Sequence, residues 1–308
     1  MHMTKKESDR MDEASPTLVS LKDVTKTFKG HFWSKRKTIL SGVTLELGEG
    51  TVAGIIGHNG AGKTSLFKIL TGLAFPDKGR VSFGEKMGDN PRQRLGFLPE
   101  NPYFYKYLTA IEALSFYVAL FDGVNVSPLE LEHALIQVGL PKDVHAQRLN
   151  TFSKGMLQRF GFAQALVNDP LLIILDEPMS GLDPVGRKEI RSLIEGLKRN
   201  GKTIVFSSHI LDDVEKLCDT VYLLDGGRLV NKIQMNDILG KSSWCIDYSL
   251  THHADDTAEH REVVLTKKEL HLRVTSVIQS GGTLTNIERV IPPLEEWIDR
   301  RATKGPNI

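Results

Sequence analysis

The stretch GHNGAGKT, Gly57 to Thr64, constrains this chain more than any other part of it. TVAGIIG before it is an apolar run with strand character, and KTSLFKILTGL after it repeats apolar residues at helical spacing. Glycines at 57, 60 and 62 let the backbone turn tightly, so that successive N–H groups and the start of the next helix converge on one point. Such a turn is a cradle for phosphate oxygens. All fixed positions of G-x-x-x-x-G-K-[ST] are matched; in that pattern Lys63 reaches the outer phosphates of a nucleotide and Thr64 offers its hydroxyl to Mg²⁺.

A second element fits beside the first. LLIILDEP, Leu171 to Pro178, is a continuous apolar run ending in two acids, the pattern of a strand buried on both faces of a parallel sheet. Asp176 at such a strand end suits a Mg²⁺ ligand. Glu177 follows it and is expected on the other side of the strand, where it polarises a water for in-line attack on a γ-phosphate. RKEIRSLIEGLKRNG then reads as helix, TIVFSSH as strand, ILDDVEKLCD as helix and TVYLLDGG as strand. This alternation predicts an α/β parallel sheet.

The remainder is less regular. LVSLKDVTKTF and TILSGVTLEL alternate as strands, joined by the basic loop KGHFWSKRKT, and RVSFGEK reads as a hairpin strand after the PDKG turn. From Tyr107 to Val167 the pattern is helical, with breaks at Asp122-Gly123 and Gly139-Leu140-Pro141. Within it, LTAIEALSFYVALF (Leu108 to Phe121) is too short to span a bilayer and contains Glu112, so a buried helix is expected. In TFSKGMLQR, Ser153 sits where an N-cap belongs, and the helix it opens presents free N–H groups and the positive end of a dipole to some anion. After about Gly240 short strands and one or two helices predict a small α+β appendage.

The 308 residues suffice for two domains. A net charge of +1 gives no electrostatic case for nucleic acid or an anionic membrane surface. Cys218 and Cys245 lack metal-ligand spacing, which fits a reduced cytosolic setting. The polar segment 1–16 carries no apolar signal-peptide core and is expected to be a frayed, disordered tail.

GHNGAGKT, GFLPE (Gly96 to Glu100), FSKGM (Phe152 to Met156), LLIILDEP with SGLDP (Ser180 to Pro184), and His209 after TIVFSS stand in one order. Together they resemble the ATP-binding subunits of ABC transporters, from Leu18 to about Gly240. The resemblance implies an α/β P-loop NTPase (RecA-like) core over 17–240, with an antiparallel β subdomain and a helical subdomain at about 101–168. A small C-terminal α+β accessory domain, 241–308, is expected to follow.

It also implies roles. Gly57, Asn59, Gly60, Ala61, Gly62, Lys63, Thr64 and Ser65 bind the phosphates of ATP. Thr64, Asp176 and Glu100 hold Mg²⁺, Glu100 standing where the family usually has Gln. Glu177 is general base or water-orienter, and Lys63 and His209, the latter as switch histidine, stabilise γ-phosphate charge. FSKGM resembles the signature Leu-Ser-Gly-Gly-Gln, so Ser153 and Gly155 meet ATP held on the phosphate loop of a second subunit; Lys154 and Met156 depart from the usual Gly and Gln. Asp183 belongs to the loop that signals across that dimer. Phe28 is the candidate for stacking on adenine, with Phe32 and Trp33 as alternatives from a loop read as a solvated hairpin turn. The LPE and SKGM variants and the tail IPPLEEWI resemble the type-two ABC exporters, which work with a separate membrane permease. The expected protein is therefore a homodimer or pseudo-dimer, peripheral at the cytoplasmic face through that permease. The alternative is a soluble ABC-type ATPase acting on nucleic acid or ribosomes. It calls for tandem domains, a long coiled-coil insertion or a basic surface, none of which the sequence offers, and no direct nucleic-acid binding is expected. A GTP-binding switch needs Asn-Lys-x-Asp, and NKIQ at Asn231 lacks the acid.

Overall fold

The computed structural model describes residues 16–28, 36–121, 123–253 and 256–302. Phe32 and Trp33, most of the 29–38 loop, and all but the last residue of the 1–16 tail lie outside the described residues. The chain divides into two compact units, Met1–Lys232 and Ile233–Ile308.

In the first unit, runs of apolar residues become the strands of a six-stranded sheet. These are β3 (Val52–Ile56), β5 (Leu95–Leu98), β6 (Leu172–Leu175), β7 (Thr203–Ser208), β8 (Thr220–Asp225) and β9 (Arg228–Gln234), ordered β5-β6-β7-β3-β8-β9. The contacts β5/β6, β6/β7, β7/β3 and β3/β8 are parallel. Every residue of β3, β6 and β7 is buried, as an α/β sheet covered on both faces requires. β3 lies inside the sheet, flanked by β7 on one side and β8 on the other. A crevice at the carboxyl ends of such strands is where α/β sheets take ligands.

A three-stranded antiparallel sheet, β2-β1-β4, is formed by β1 (Thr17–Phe28), β2 (Lys37–Gly48) and β4 (Lys78–Phe83). It shares one core with α1 (Lys63–Leu70) and the larger sheet, through Leu21, Leu40, Leu45, Leu66, Phe67 and Tyr222. Burial of this apolar surface, at roughly 25 cal/mol per Å², fixes the helix that carries Lys63.

The helical region contains α2 (Ala110–Val118), α3 (Pro128–Gln137) and α4 (Lys154–Leu166). Capping boxes open the first two, Thr109 with Glu112 and Ser127 with Glu130. The expectation of a buried helix at Leu108 to Phe121 needs correction: Ala110, Ala113, Leu114 and Val118 are buried, whereas Phe116 and Leu120 are exposed. Glu112 and Ser115 are exposed as well, so the helix is amphipathic and turns only the stripe of Ala110, Ala113, Leu114 and Val118 to the core. The helical pattern also breaks more often than expected, with short 3-10 turns over Lys142–Val144 and Leu149–Thr151. Helix α4 lies close on β5, where a Cβ on Gly161 would stand 2.6 Å from Leu98 Cδ1. Helices α5 (Pro184–Arg199) and α6 (Leu211–Leu217) follow β6 and β7.

The second unit begins with the end of β9 and α7 (Met235–Leu239). It then builds an antiparallel sheet, β11-β10-β12, from β10 (Ser243–His253), β11 (Asp256–Val264) and β12 (Thr283–Val290), with α8 (Lys267–Gln279) between the last two strands and α9 (Leu294–Ala302) at the end. Ile246, Tyr248, Val264 and Val277 form its small core. This is the α+β appendage expected from the sequence.

Candidate active site

The loops that follow β3, β6 and β7 meet in a cleft of about 510 Å³. His58, Asn59, Gly60, Gly62, Lys63, Thr64 and Ser65 line it from the phosphate loop, facing Asp176, Glu177, Ser180 and His209, with Glu100 at the end of the β5 loop. The phosphate loop keeps its shape because Gly62, the N-cap of α1, sits at φ 112. A Cβ there would meet Leu40 Cδ2 at 2.9 Å and Ile39 O at 3.0 Å. Only glycine fits both the space and the angle. Gly57 and Ala61 belong to the loop without lining the cleft: Lys63 Nζ donates to Gly57 O at 2.7 Å, and Gly227 N donates to Ala61 O at 3.1 Å.

The acids differ in their surroundings. Asp176 is 1% exposed. Its Oδ1 accepts from Ser207 Oγ at 2.6 Å, while its Oδ2 is buried with no hydrogen-bond partner. A buried carboxylate oxygen without a partner costs free energy unless a cation or donor meets it. With the Thr64 hydroxyl and the Glu100 carboxylate in the same cleft, the donors are all oxygen, the chemistry Mg²⁺ prefers. No group of three or more His, Cys, Asp or Glu able to hold a metal occurs among the described residues. Mg²⁺ in nucleotide sites needs only one or two carboxylates, the remainder being phosphate and water, so the residues present fit it.

Glu177 departs from the expectation that it faces the other side of the strand. β6 ends at Leu175, so alternation no longer governs residue 177, and Glu177 sits at φ 49. Its backbone N–H donates to the same Ser207 Oγ at 2.8 Å. Both acids therefore line one cleft. Glu177 Oε1 stands 3.5 Å from Lys63 Nζ, and Oε2 stands 2.8 Å from His209 Nδ1. Lys63 and Glu177 are nearly buried and His209 is half exposed. One carboxylate thus holds a buried cation and an accessible imidazole at the edge of the phosphate cradle, an arrangement able to orient a water and to compensate developing phosphate charge.

Ser207 is the residue that sequence reasoning missed. The available signal was the pair of serines closing an otherwise apolar strand, TIVFSS, since a buried hydroxyl needs partners.

The other expected residues lie outside this cleft. Ser153 caps α4, accepting from Met156 N at 3.3 Å, and is exposed. Neither it nor Gly155 lines the cleft. Lys154 folds across Gly181, which has φ 70, so that its ammonium occupies the place a Cβ would take. Asp183 is exposed and caps α5, accepting from Gly186 N at 2.9 Å. Phe28 is exposed at the end of β1 beneath the Lys26 ammonium; its register partner Lys37 lines the cleft and Phe28 does not.

The ABC transporter family pattern matches residues 40–180. An uncharacterised ABC transporter ATP-binding protein of Nostoc is 44% identical over 234 residues, covering 74% of this chain and 70% of that protein. The bacitracin transport ATP-binding protein of Enterococcus faecalis is 38% identical over 206 residues, 65% of this chain and 66% of the other. A solved dimeric ATP-binding cassette in a post-hydrolysis state, bound to ADP and phosphate, is similar with TM-score 0.63 and 25% identity, over 71% of this chain and 99% of that one. Relatedness of this extent, on a chain whose phosphate loop, buried aspartate and glutamate share one cleft, settles the kinship: the chain belongs to the ATP-binding, ATP-hydrolysing subunits of the ABC transporter family.

Proposed function

We propose that two copies of this chain close head to tail on two ATP molecules and thereby drive a separate membrane permease, as the energising subunit of an exporter. The observation that carries the reading is the division of parts. The cleft holds the phosphate loop, Asp176, Glu177 and His209 but not the capped helix start at Ser153. Free N–H groups at an exposed helix start favour an anion, and a second copy supplies one on its own phosphate loop. The dimeric cassette with ADP and phosphate supports this arrangement.

In this reading Lys63 and the loop amides bind the phosphates, and Glu177 orients the attacking water and takes its proton at a carboxylate oxygen. His209, held by Glu177, stabilises γ-phosphate charge. Thr64, Asp176 and Glu100 would hold Mg²⁺, which when bound neutralises phosphate charge. Asp183 contacts the second copy. Phe28 stacks on adenine from the rim.

The permease contact is assigned to the aromatic patch that follows Glu100. Tyr103, Tyr105, Tyr107, Phe116 and Leu120 are all exposed, and grouped exposed apolar side chains mark interaction surfaces. No helix among the described residues is long and apolar enough to cross a membrane; in this reading the chain is held at the cytoplasmic face by the permease. The bacitracin transport named for the Enterococcus relative supports a transport role.

The test is ATP hydrolysis by the purified chain, and its retention on membranes with and without the permease. Turnover that needs Mg²⁺ and is lost in Lys63→Ala, with membrane retention only when the permease is present, is the expected result. Turnover surviving Lys63→Ala would remove the assignment of the cleft, and permease-independent retention would remove the assignment of the partner.

A further inference from the structure

We infer that Asp213, which does not line the nucleotide cleft, is a positioning residue that ties the Ser180–Asp183 loop to His209. The inference rests on the reading of His209 as a γ-phosphate contact. Asp213 is fully buried on α6 and is held by two arginines of α5. Arg187 Nη2 donates to Oδ2 at 2.7 Å and Arg191 Nη1 to Oδ1 at 2.9 Å. Arg191 Nη1 also reaches Asp212 Oδ2 at 3.1 Å, and Lys216 pairs with Asp212 at 2.6 Å.

Both ends of this clamp lead to the active site. Arg187 N donates to Asp183 O at 3.0 Å, so one residue bonds the exposed loop through its backbone and the buried aspartate through its side chain. On the other side, α6 begins two residues after His209, and the connection is closed by Ile210 N donating to Ser208 Oγ at 3.0 Å. His209 then meets Glu177.

A buried carboxylate is a poor way to join two helices if stability is all that matters, because its desolvation offsets most of the attraction. Here the design even leaves Arg187 Nε buried without a partner. Planar guanidinium groups do give direction: two of them on one carboxylate admit a single register of α6 on α5, where an apolar contact would tolerate sliding. Displacement of the loop by a second copy is therefore passed to His209 as a movement of packed helices.

The experiment is a double-mutant cycle in single turnover with radiolabelled ATP, which resolves slow residual hydrolysis. Asp213→Asn keeps the volume but offers an amide to one arginine. It is expected to slow turnover about tenfold, a size ordinary for residues that couple sites without touching ligand, and to leave ATP affinity within about twofold of wild type. In a His209→Ala background the same change is expected to alter turnover less than about twofold, since the path ends at His209. An equal loss in both backgrounds, or no loss in the wild-type background, overturns the inference. Arg191→Gln, a milder change on a partly exposed side chain, must follow the same pattern, and decides the matter if Asp213→Asn does not fold. Wild-type turnover in His209→Ala alone would instead overturn the underlying reading of His209, and the inference with it.

Discussion

Glu177 and His209 are joined by a 2.8 Å contact between Oε2 and Nδ1, reached from a glutamate whose backbone has turned into the left-handed region. The turn brings the carboxylate into the cleft that Asp176 lines. Glu177→Gln keeps the volume and can still meet His209, yet it cannot take a proton from water. Steady-state hydrolysis is expected to fall on the order of 10²–10³-fold, with ATP affinity of the isolated chain little changed. Wild-type turnover would give Glu177 another role.

Ser207 holds both acids at once, donating to Asp176 and accepting from the Glu177 backbone. Ser207→Ala leaves the buried Asp176 Oδ1 and the part-buried Glu177 N–H without this partner, at a cost of about 1–3 kcal/mol for the buried oxygen and less for the amide. Denaturant unfolding is expected to show the loss, and hydrolysis is expected to require more Mg²⁺ because Asp176 is no longer fixed. An unchanged midpoint and an unchanged Mg²⁺ titration together would show that Ser207 orients neither acid.

Gly181 adopts φ 70 beneath the Lys154 side chain. Gly181→Ala must accept a left-handed alanine, at about 1–2 kcal/mol, and must push the ammonium aside. Combining it with Lys154→Ala is expected to restore only the part due to the side chain, leaving the backbone part in place. Full recovery of stability in the double variant would show that the backbone angle carries no strain.

Cys218 is buried beneath Gly54, where a Cβ would meet its Sγ at 2.8 Å. Burial pushes the thiol well above its ordinary value of 9.0, with Asp219 adding to the effect. A raised folded value means that the stability contribution is complete below the ordinary thiol range and is lost progressively as pH rises from that range toward the folded value. Wild type is thus expected to lose more stability than Cys218→Ala between about pH 8 and 10, and Cys218 should resist alkylation until the chain unfolds. Rapid alkylation of the native protein would contradict the burial.

Much of this was legible in the sequence because the strongest signals are local. The phosphate loop announces itself through residue spacing between a strand and a helix, and LLIILDEP through continuous apolarity. The N-cap at Ser153 follows from its position ahead of an apolar stripe. What escaped depends on where strands end and on neighbours distant in sequence. Alternation puts Glu177 on the far side of β6, but the strand stops two residues earlier. Ser207 acquires its importance only when β7 lies beside β6. The exposure of Phe116 and Leu120 could not be read from a stretch with more apolar residues than one core-facing stripe can take. The clamp on Asp213 joins helices whose sequences show only ordinary surface charge.

The most direct test is the mass of the Glu177→Gln variant in solution, measured by light scattering with and without ATP and Mg²⁺. A two-chain species that forms only with ATP, and is lost on adding Ser153→Ala, is expected if the Ser153 helix start completes the site of a second copy. A single-chain mass at saturating ATP, in a variant that still binds the nucleotide, would contradict head-to-tail closure.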